Sequence, residues 1–182
     1  MSPQDAEALQ DFSRWLSGLA ADARALSKLV VDPAQPSEVR AYATGALGAV
    51  LHASDVVCDG VEDLAWIDVA LFLRIAARRT PLGEPAPEEG GQASVIARLA
   101  AEAEAAARFL GDLGPAYEQG IEGRLAKAVR GRGVDGTLAE LELGAALAVD
   151  IATWAADFTP PALTQDQYEL VKLRTFLRAR AA

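Results

Sequence analysis

The chain has 182 residues, of which 51% are hydrophobic, and a formal net charge of -9 at pH 7. This length and composition predict one globular domain with a sizeable buried core. The negative charge argues against docking on nucleic acid or anionic lipid, because such binding draws its energy from clustered Lys and Arg.

Three further features concern the cellular compartment. Cys58 is the only cysteine, so an intrachain disulfide framework and a thiolate metal cluster are excluded. The first residues lack the basic start and apolar core of a signal peptide, and no apolar run reaches the roughly 20 residues of a spanning helix. We therefore expect a cytoplasmic protein without an integral membrane segment.

The first predicted element is a long amphipathic helix over residues 3–30. Ser2 is its expected N-cap, Pro3 occupies the first helical position, and Asp5 completes a capping-box pattern. Apolar residues then recur at helical spacing as far as Val30.

The second predicted helix covers residues 37–53 and begins at Ser37. Small residues dominate one of its sides, and this thin surface would let another backbone come close. The residues of that side are Ala41, Gly45, Gly48, Ala49 and His52.

The third predicted helix spans residues 61–79. Asp59 and Glu62 form its D-x-x-E start, while Arg74, Arg78 and Arg79 suit the negative C-terminal end of the helix. Residues 80–92, rich in Pro, Gly and Glu, are then expected to form an exposed connector.

Helical periodicity continues to the end of the sequence and predicts an all-α fold. We expect a single helical bundle of about seven helices that forms one domain over residues 1–182. Two smaller bundles, divided at the connector, are the alternative. The remaining predicted helices cover residues 94–111, 115–130, 138–157 and 165–180.

Asp68 stands out within the third helix, which is apolar over most of its circumference. At about 100° per residue, its side chain falls between Leu64 and Phe72 and should point into the core. A buried carboxylate must be protonated, paired or hydrogen-bonded, and we expect its partners to come from the preceding turn. Trp66 lies on the opposite side and should contact a second layer of helices or, alternatively, a second subunit.

The stretch "DVVCDGVEDLAWIDV" resembles the motif of the YkvA-like domain, a bacterial family of unestablished activity. Asp55, Asp59 and Asp68 fall on the acidic places of that motif, and the likeness covers about residues 41–79. Prolines, a glycine and a second aspartate of the motif are replaced in this chain. The resemblance implies a small helical unit with acidic residues at the turn between two apolar helices.

Two interpretations of the three aspartates remain open. Carboxylate oxygens are ligands for hard cations such as Mg²⁺ and Ca²⁺, so Asp55, Asp59 and Asp68 are candidates for a metal or proton-handling site. In the structural interpretation, which we favour, Asp59 caps the third helix, Asp55 closes the turn and Asp68 braces the core.

His52, the single histidine, has similar alternatives. A pair with Asp55, one turn later, would orient or charge the imidazole. A core role at the end of the small-residue face is the simpler interpretation, and a dyad with Cys58 would have to reach across a helix break. We predict no cofactor.

The sequence "GRLAKAVRGRG" contains the one basic patch, formed by Arg124, Lys127, Arg130 and Arg132. It could hold an acidic partner or a phosphate. Cations near the carbonyls of a solvated helix end are the plainer interpretation.

Taken together, these patterns favour a non-enzymatic helical protein that binds another protein or self-associates as a homo-oligomer. The alternative is a metal-dependent or acid-base enzyme centred on Asp55, Asp59, Asp68 and His52. A helical module that touches membranes is a third hypothesis, which the net charge opposes.

Overall fold

The computed structural model describes residues 1–56, 62–80, 93–164 and 167–181. Within these residues the chain is all-α, as predicted, and contains nine α-helices and one 3-10 turn, Gly111–Leu113. No helix in this part of the chain is long and apolar enough to cross a membrane. The helices are α1 Pro3–Val31, α2 Ser37–Val56, α3 Glu62–Arg79, α4 Ala93–Leu110, α5 Gly114–Gln119, α6 Ile121–Ala126, α7 Val134–Ala139, α8 Leu141–Asp157 and α9 Gln167–Ala181.

The third helix, α3, is the centre of the bundle. It packs against α1, α2, α4, α6 and α9, and every side chain from residue 64 to residue 77 is buried. A helix that is apolar around nearly its whole circumference has to lie inside a protein. The central position predicted for this helix is therefore confirmed.

The start of α1 and the outer contact of Trp66 also follow the sequence patterns. Ser2 accepts a hydrogen bond from the Asp5 amide at 3.1 Å, and the capping box is complete. Trp66 lies 5.5 Å from Trp154 and 5.1 Å from Phe158 between ring centroids. This aromatic cluster joins α3 to α8, so the predicted internal contact of Trp66 is confirmed.

The close helix crossing predicted for α2 is present and involves α6. A Cβ atom added at Gly45 would lie 2.5 Å from the carbonyl oxygen of Leu125. Real Cβ atoms do not approach backbone this closely, so only glycine permits the observed separation of the two helices.

The predicted helix over residues 115–130 is wrong in its second half. The chain breaks it into α5 and α6, and α6 ends at Ala126. A tight turn follows in which Val129 and Arg132 exchange two backbone hydrogen bonds. Both central residues have positive φ, 53° at Arg130 and 76° at Gly131. Such turns join antiparallel segments and favour glycine, so residues 129–132 cannot belong to the predicted helix.

The prediction of one helix over residues 138–157 is also corrected. Residues 134–139 form the short helix α7, and Glu140 then adopts an extended conformation before α8 begins. Six residues are too few to show a helical period in the sequence. From residue 81 on, the predicted connector lies outside the described residues.

Arg74 departs from its expected place at the exposed end of α3. Its side chain is buried, donates from Nε to Glu102 at 2.8 Å and lies 4.2 Å from the Trp15 ring centroid. Burial lowers the pKa of Arg74 to about 10, so the guanidinium stays charged at neutral pH. Asp22, buried nearby and bonded to Arg98, has a pKa raised by the same loss of solvent. The sequence pattern did not predict this cluster, because two of its members, Arg98 and Glu102, lie on α4 and not on α3.

Candidate functional site

Asp68 is buried, as predicted, and its carboxylate is fully engaged by side chains. The hydroxyl of Tyr117 donates to Oδ1 at 2.6 Å, and Arg124 donates to Oδ1 at 3.2 Å and to Oδ2 at 3.0 Å. Arg180 lies 3.5 Å from Oδ2. The partners that the structure describes come from α5, α6 and α9, whereas most of the preceding turn, from which we expected them, lies outside the described residues.

The short helices α5 and α6 place Tyr117 and Arg124 on the same side of Asp68. The amide of Arg124 donates to the carbonyl of Gly120 at 3.1 Å, which keeps the two helices in register. Arg124 also donates to the Tyr117 hydroxyl at 3.0 Å and lies 4.2 Å from the Phe72 ring centroid. The guanidinium is therefore held by a carboxylate, a hydroxyl and an aromatic face at once.

Tyr117 stays protonated in this environment. Burial raises the pKa of its hydroxyl well above the ordinary value, and the charge of Asp68 raises it further. The hydroxyl also contacts the Asp68 backbone carbonyl at 3.0 Å. Tyr117 is thus a hydrogen-bond donor that fixes the carboxylate, rather than a base.

A cavity of about 430 Å³ lies beside this network, between α2, α3, α5, α6 and α9. We call it the Asp68 cavity. Its polar residues include Asp68, Tyr117, Arg124, Lys127, Arg180 and His52. Lys127 and Arg180 are exposed, so their charges lie where the cavity meets solvent.

His52 and Asp55 have different partners in the structure. The Nε2 atom of His52 lies 3.0 Å from Nζ of Lys127. An ammonium can only donate, so this nitrogen accepts and the imidazole is neutral. Burial lowers the pKa of His52, and the charges of Lys127 and Arg180 lower it further.

Asp55 lies outside the cavity lining and contacts Arg130 at 3.0 Å. This hydrogen bond holds the pKa of the Asp55 carboxyl below its ordinary value. Asp59 and Cys58 fall outside the described residues. Among the residues that are described, no group of three or more His, Cys, Asp or Glu side chains could hold a metal ion.

The four residues of the predicted basic patch divide between two places. Arg124 and Lys127 line the Asp68 cavity, whereas Arg130 pairs with Asp55 and Asp150, and Arg132 also pairs with Asp150. The helix end expected at this patch is present for Arg124, in the last turn of α6, and for Lys127, the C-cap of α6, whereas Arg130 and Arg132 lie beyond the helix.

Sequence reasoning did not find Tyr117 or Arg180 as site residues. Tyr117 and Arg124 follow Asp68 by 49 and 56 residues, and no short motif connects them. Arg180 belongs to a terminal basic stretch that has the pattern of an exposed helix end. Only the packing of α5, α6 and α9 on α3 brings these side chains together.

The chain matches no family model, no curated protein and no solved structure. The resemblance of residues 41–79 to the YkvA-like domain therefore stays a prediction.

Proposed function

We propose that this protein binds a small anionic molecule in the Asp68 cavity. The observation that carries the proposal is an excess of positive charge around a concave space in a strongly acidic chain. Arg124, Lys127 and Arg180 face one carboxylate, that of Asp68, whereas the whole chain has a net charge of -9. A volume of about 430 Å³ falls in the range of small-molecule sites, roughly 300–1,000 Å³.

The three cations have different roles in this proposal. Arg124 is occupied by Asp68 and Tyr117, so its function is to hold the wall of the cavity. Lys127 makes no ion pair within the described part of the chain, and its observed contact is neutral His52. Arg180 lies 5.5 Å from the Phe176 ring centroid, and its contact with Asp68 is a longer one, at 3.5 Å. Lys127 and Arg180 are therefore the groups available to an incoming anion.

The neutral state of His52 supports the same conclusion. Apolar or positively charged surroundings favour the neutral form of an imidazole, and both conditions hold at His52. Next to Lys127, His52 offers a fixed acceptor that orients the ammonium. An anion entering the cavity would contact Lys127 without having to displace a competing carboxylate.

The test is a titration with acetate and with inorganic phosphate at constant ionic strength, followed through amide NMR resonances around the cavity. We expect saturable shifts for the wild-type protein. A Lys127→Met, Arg180→Met double variant should bind at least about tenfold more weakly, because two charge-assisted contacts are lost.

The matched control is Lys28→Met with Arg178→Met, which removes the same two residue types at exposed positions outside the cavity lining. This control should bind like the wild type. Equal weakening in both double variants would mean that general charge attraction, rather than the cavity, causes the shifts. Absence of saturable shifts would contradict the proposal.

A second candidate function is self-association through α8. One exposed stripe of this helix is apolar, flanked by Glu142, Thr153 and Asp157. Its large residues are well exposed, Leu141 at 67% and Val149 at 64%. Alanines between them would let a second copy of the same helix approach closely. The exposed alanines are Ala145, Ala146, Ala152 and Ala156.

Light scattering after size exclusion tests this candidate. Self-association through α8 predicts a dimer that the Val149→Glu variant converts to a monomer, since a charge at the centre of an apolar interface is costly. Val171→Glu, on the exposed side of α9, is the matched control and should leave the mass unchanged. A monomeric wild type at high concentration would contradict self-association. The metal-dependent or acid-base enzyme stays a prediction from the sequence.

A further inference from the structure

The composition of the Asp68 cavity limits the kind of anion that fits it, an argument that rests on the proposed function. Besides its polar and charged residues, the lining includes five side chains without polar atoms. These are Ala49, Ala53, Val69, Ala116 and Val129, from α2, α3, α5 and the turn after α6. An ion that keeps its full hydration shell gains nothing from such a wall, whereas an apolar group gains the free energy of leaving water.

The positive charge that the cavity offers to a ligand is also small. Asp68 neutralises one of the three cations, and Arg180 already lies 3.5 Å from that carboxylate. Lys127 is the cation with no acidic neighbour among the described ion pairs. A phosphate dianion is normally bound by several donors that converge on it, but a single negative charge needs no more than Lys127 and Arg180 offer.

The volume restricts the ligand further. At about 430 Å³, the cavity is near the lower limit for small-molecule sites. A single ring or a short branched chain would fill it. Gln119, which also lines the cavity, is a neutral side chain that can donate or accept one further hydrogen bond.

We propose that the ligand is a monocarboxylic acid with a compact apolar body. Its carboxylate lies between Lys127 and Arg180 at the mouth of the cavity. The body packs against the alanine and valine side chains of the lining. The buried Tyr117, Asp68 and Arg124 network keeps the cavity lining in place without itself taking up the charge of the ligand.

Four probes of matched size or charge test the proposal by isothermal titration. Cyclohexanecarboxylate has both the charge and the apolar body, acetate and inorganic phosphate have charge alone, and cyclohexylmethanol has the body alone. We expect cyclohexanecarboxylate to bind at least about tenfold more tightly than each of the other three, because only it satisfies both ends of the cavity.

A substitution at the apolar wall provides a second test. Ala116 is exposed at the edge of the cavity, so Ala116→Leu should fold normally and occupy space that the apolar body needs. It is expected to remove most of the advantage of cyclohexanecarboxylate over acetate. Ala101→Leu, at an exposed position of α4 outside the cavity lining, is the control and should keep the full advantage.

The possible results separate this inference from the function on which it rests. If phosphate or acetate binds as tightly as cyclohexanecarboxylate, the monocarboxylate inference is overturned while the anion-binding function stands. If cyclohexylmethanol binds as tightly as the acid, or if none of the anions binds, both are overturned. An unchanged preference in Ala116→Leu would also overturn the inference, because the apolar body would then lie elsewhere.

Discussion

Asp68→Asn is expected to lower the free energy of unfolding by about 3 kcal/mol, because it leaves the Arg124 guanidinium without its counter-charge in a mostly buried place. The side-chain amide of the introduced asparagine also places an NH2 donor next to Arg124 and Tyr117, both of which need an acceptor. Urea unfolding followed by far-UV circular dichroism measures the difference.

Two further variants test whether the loss of stability comes from the buried ion pair of Asp68. Asp63→Asn makes the same chemical change on the same helix, but Asp63 is only half-buried, so its effect should stay within about 0.5 kcal/mol. Replacing both partners, with Asp68→Leu and Arg124→Met, removes the buried charges together and should recover most of the stability. Equal unfolding midpoints for Asp68→Asn and Asp63→Asn would contradict the account of Asp68 as a paired buried charge.

Gly45→Ala should lower the free energy of unfolding by about 2–3 kcal/mol, although alanine is the better helix former. The new methyl group would lie 2.5 Å from the Leu125 carbonyl oxygen and 2.9 Å from its Cα atom. Backbone atoms cannot rotate away as a flexible side chain can, so α2 and α6 would have to separate. Thermal and urea unfolding both report this cost.

Gly18→Ala is the matched control for Gly45→Ala. Gly18 also lies inside a long helix, but an added Cβ atom there has no neighbour within 4 Å. Without a clash, the helix propensity of alanine should stabilise the protein by up to about 1 kcal/mol. Opposite signs for the two variants are expected, and a stabilising Gly45→Ala would show that α6 does not depend on the close crossing. The same separation of helices would move Arg124, so Gly45→Ala should also weaken anion binding.

The sequence was sufficient for the parts of the fold that repeat over several helical turns. The apolar circumference of α3 indicated both its central position and the burial of Asp68, since the direction of a side chain follows from the helical period. The small side of α2 likewise indicated a close crossing. In each case the residues that support the prediction all lie on one helix.

The site was not predictable in the same way. A buried carboxylate requires a partner, but the requirement does not say which of the fourteen arginines supplies it. Arg124 and Tyr117 reach Asp68 only because Gly120 separates two short helices, and the turn at Arg130 and Gly131 ends the regular pattern. Arg74 shows the converse failure, because its charge suggested a helix end while its position on α3 placed it in the core.

The order of the helices along the chain has a consequence for how the protein is made. During synthesis, α3 leaves the ribosome before α5 and α6, and α9 is the last of the described helices to emerge. Until α6 emerges, Asp68 lacks the Arg124 guanidinium that pairs with it, and burying an unpaired carboxylate is costly, so the nascent bundle does not close fully around α3. We therefore expect the N-terminal helices to remain loosely collapsed and to reach their final packing only after most of the chain has been translated.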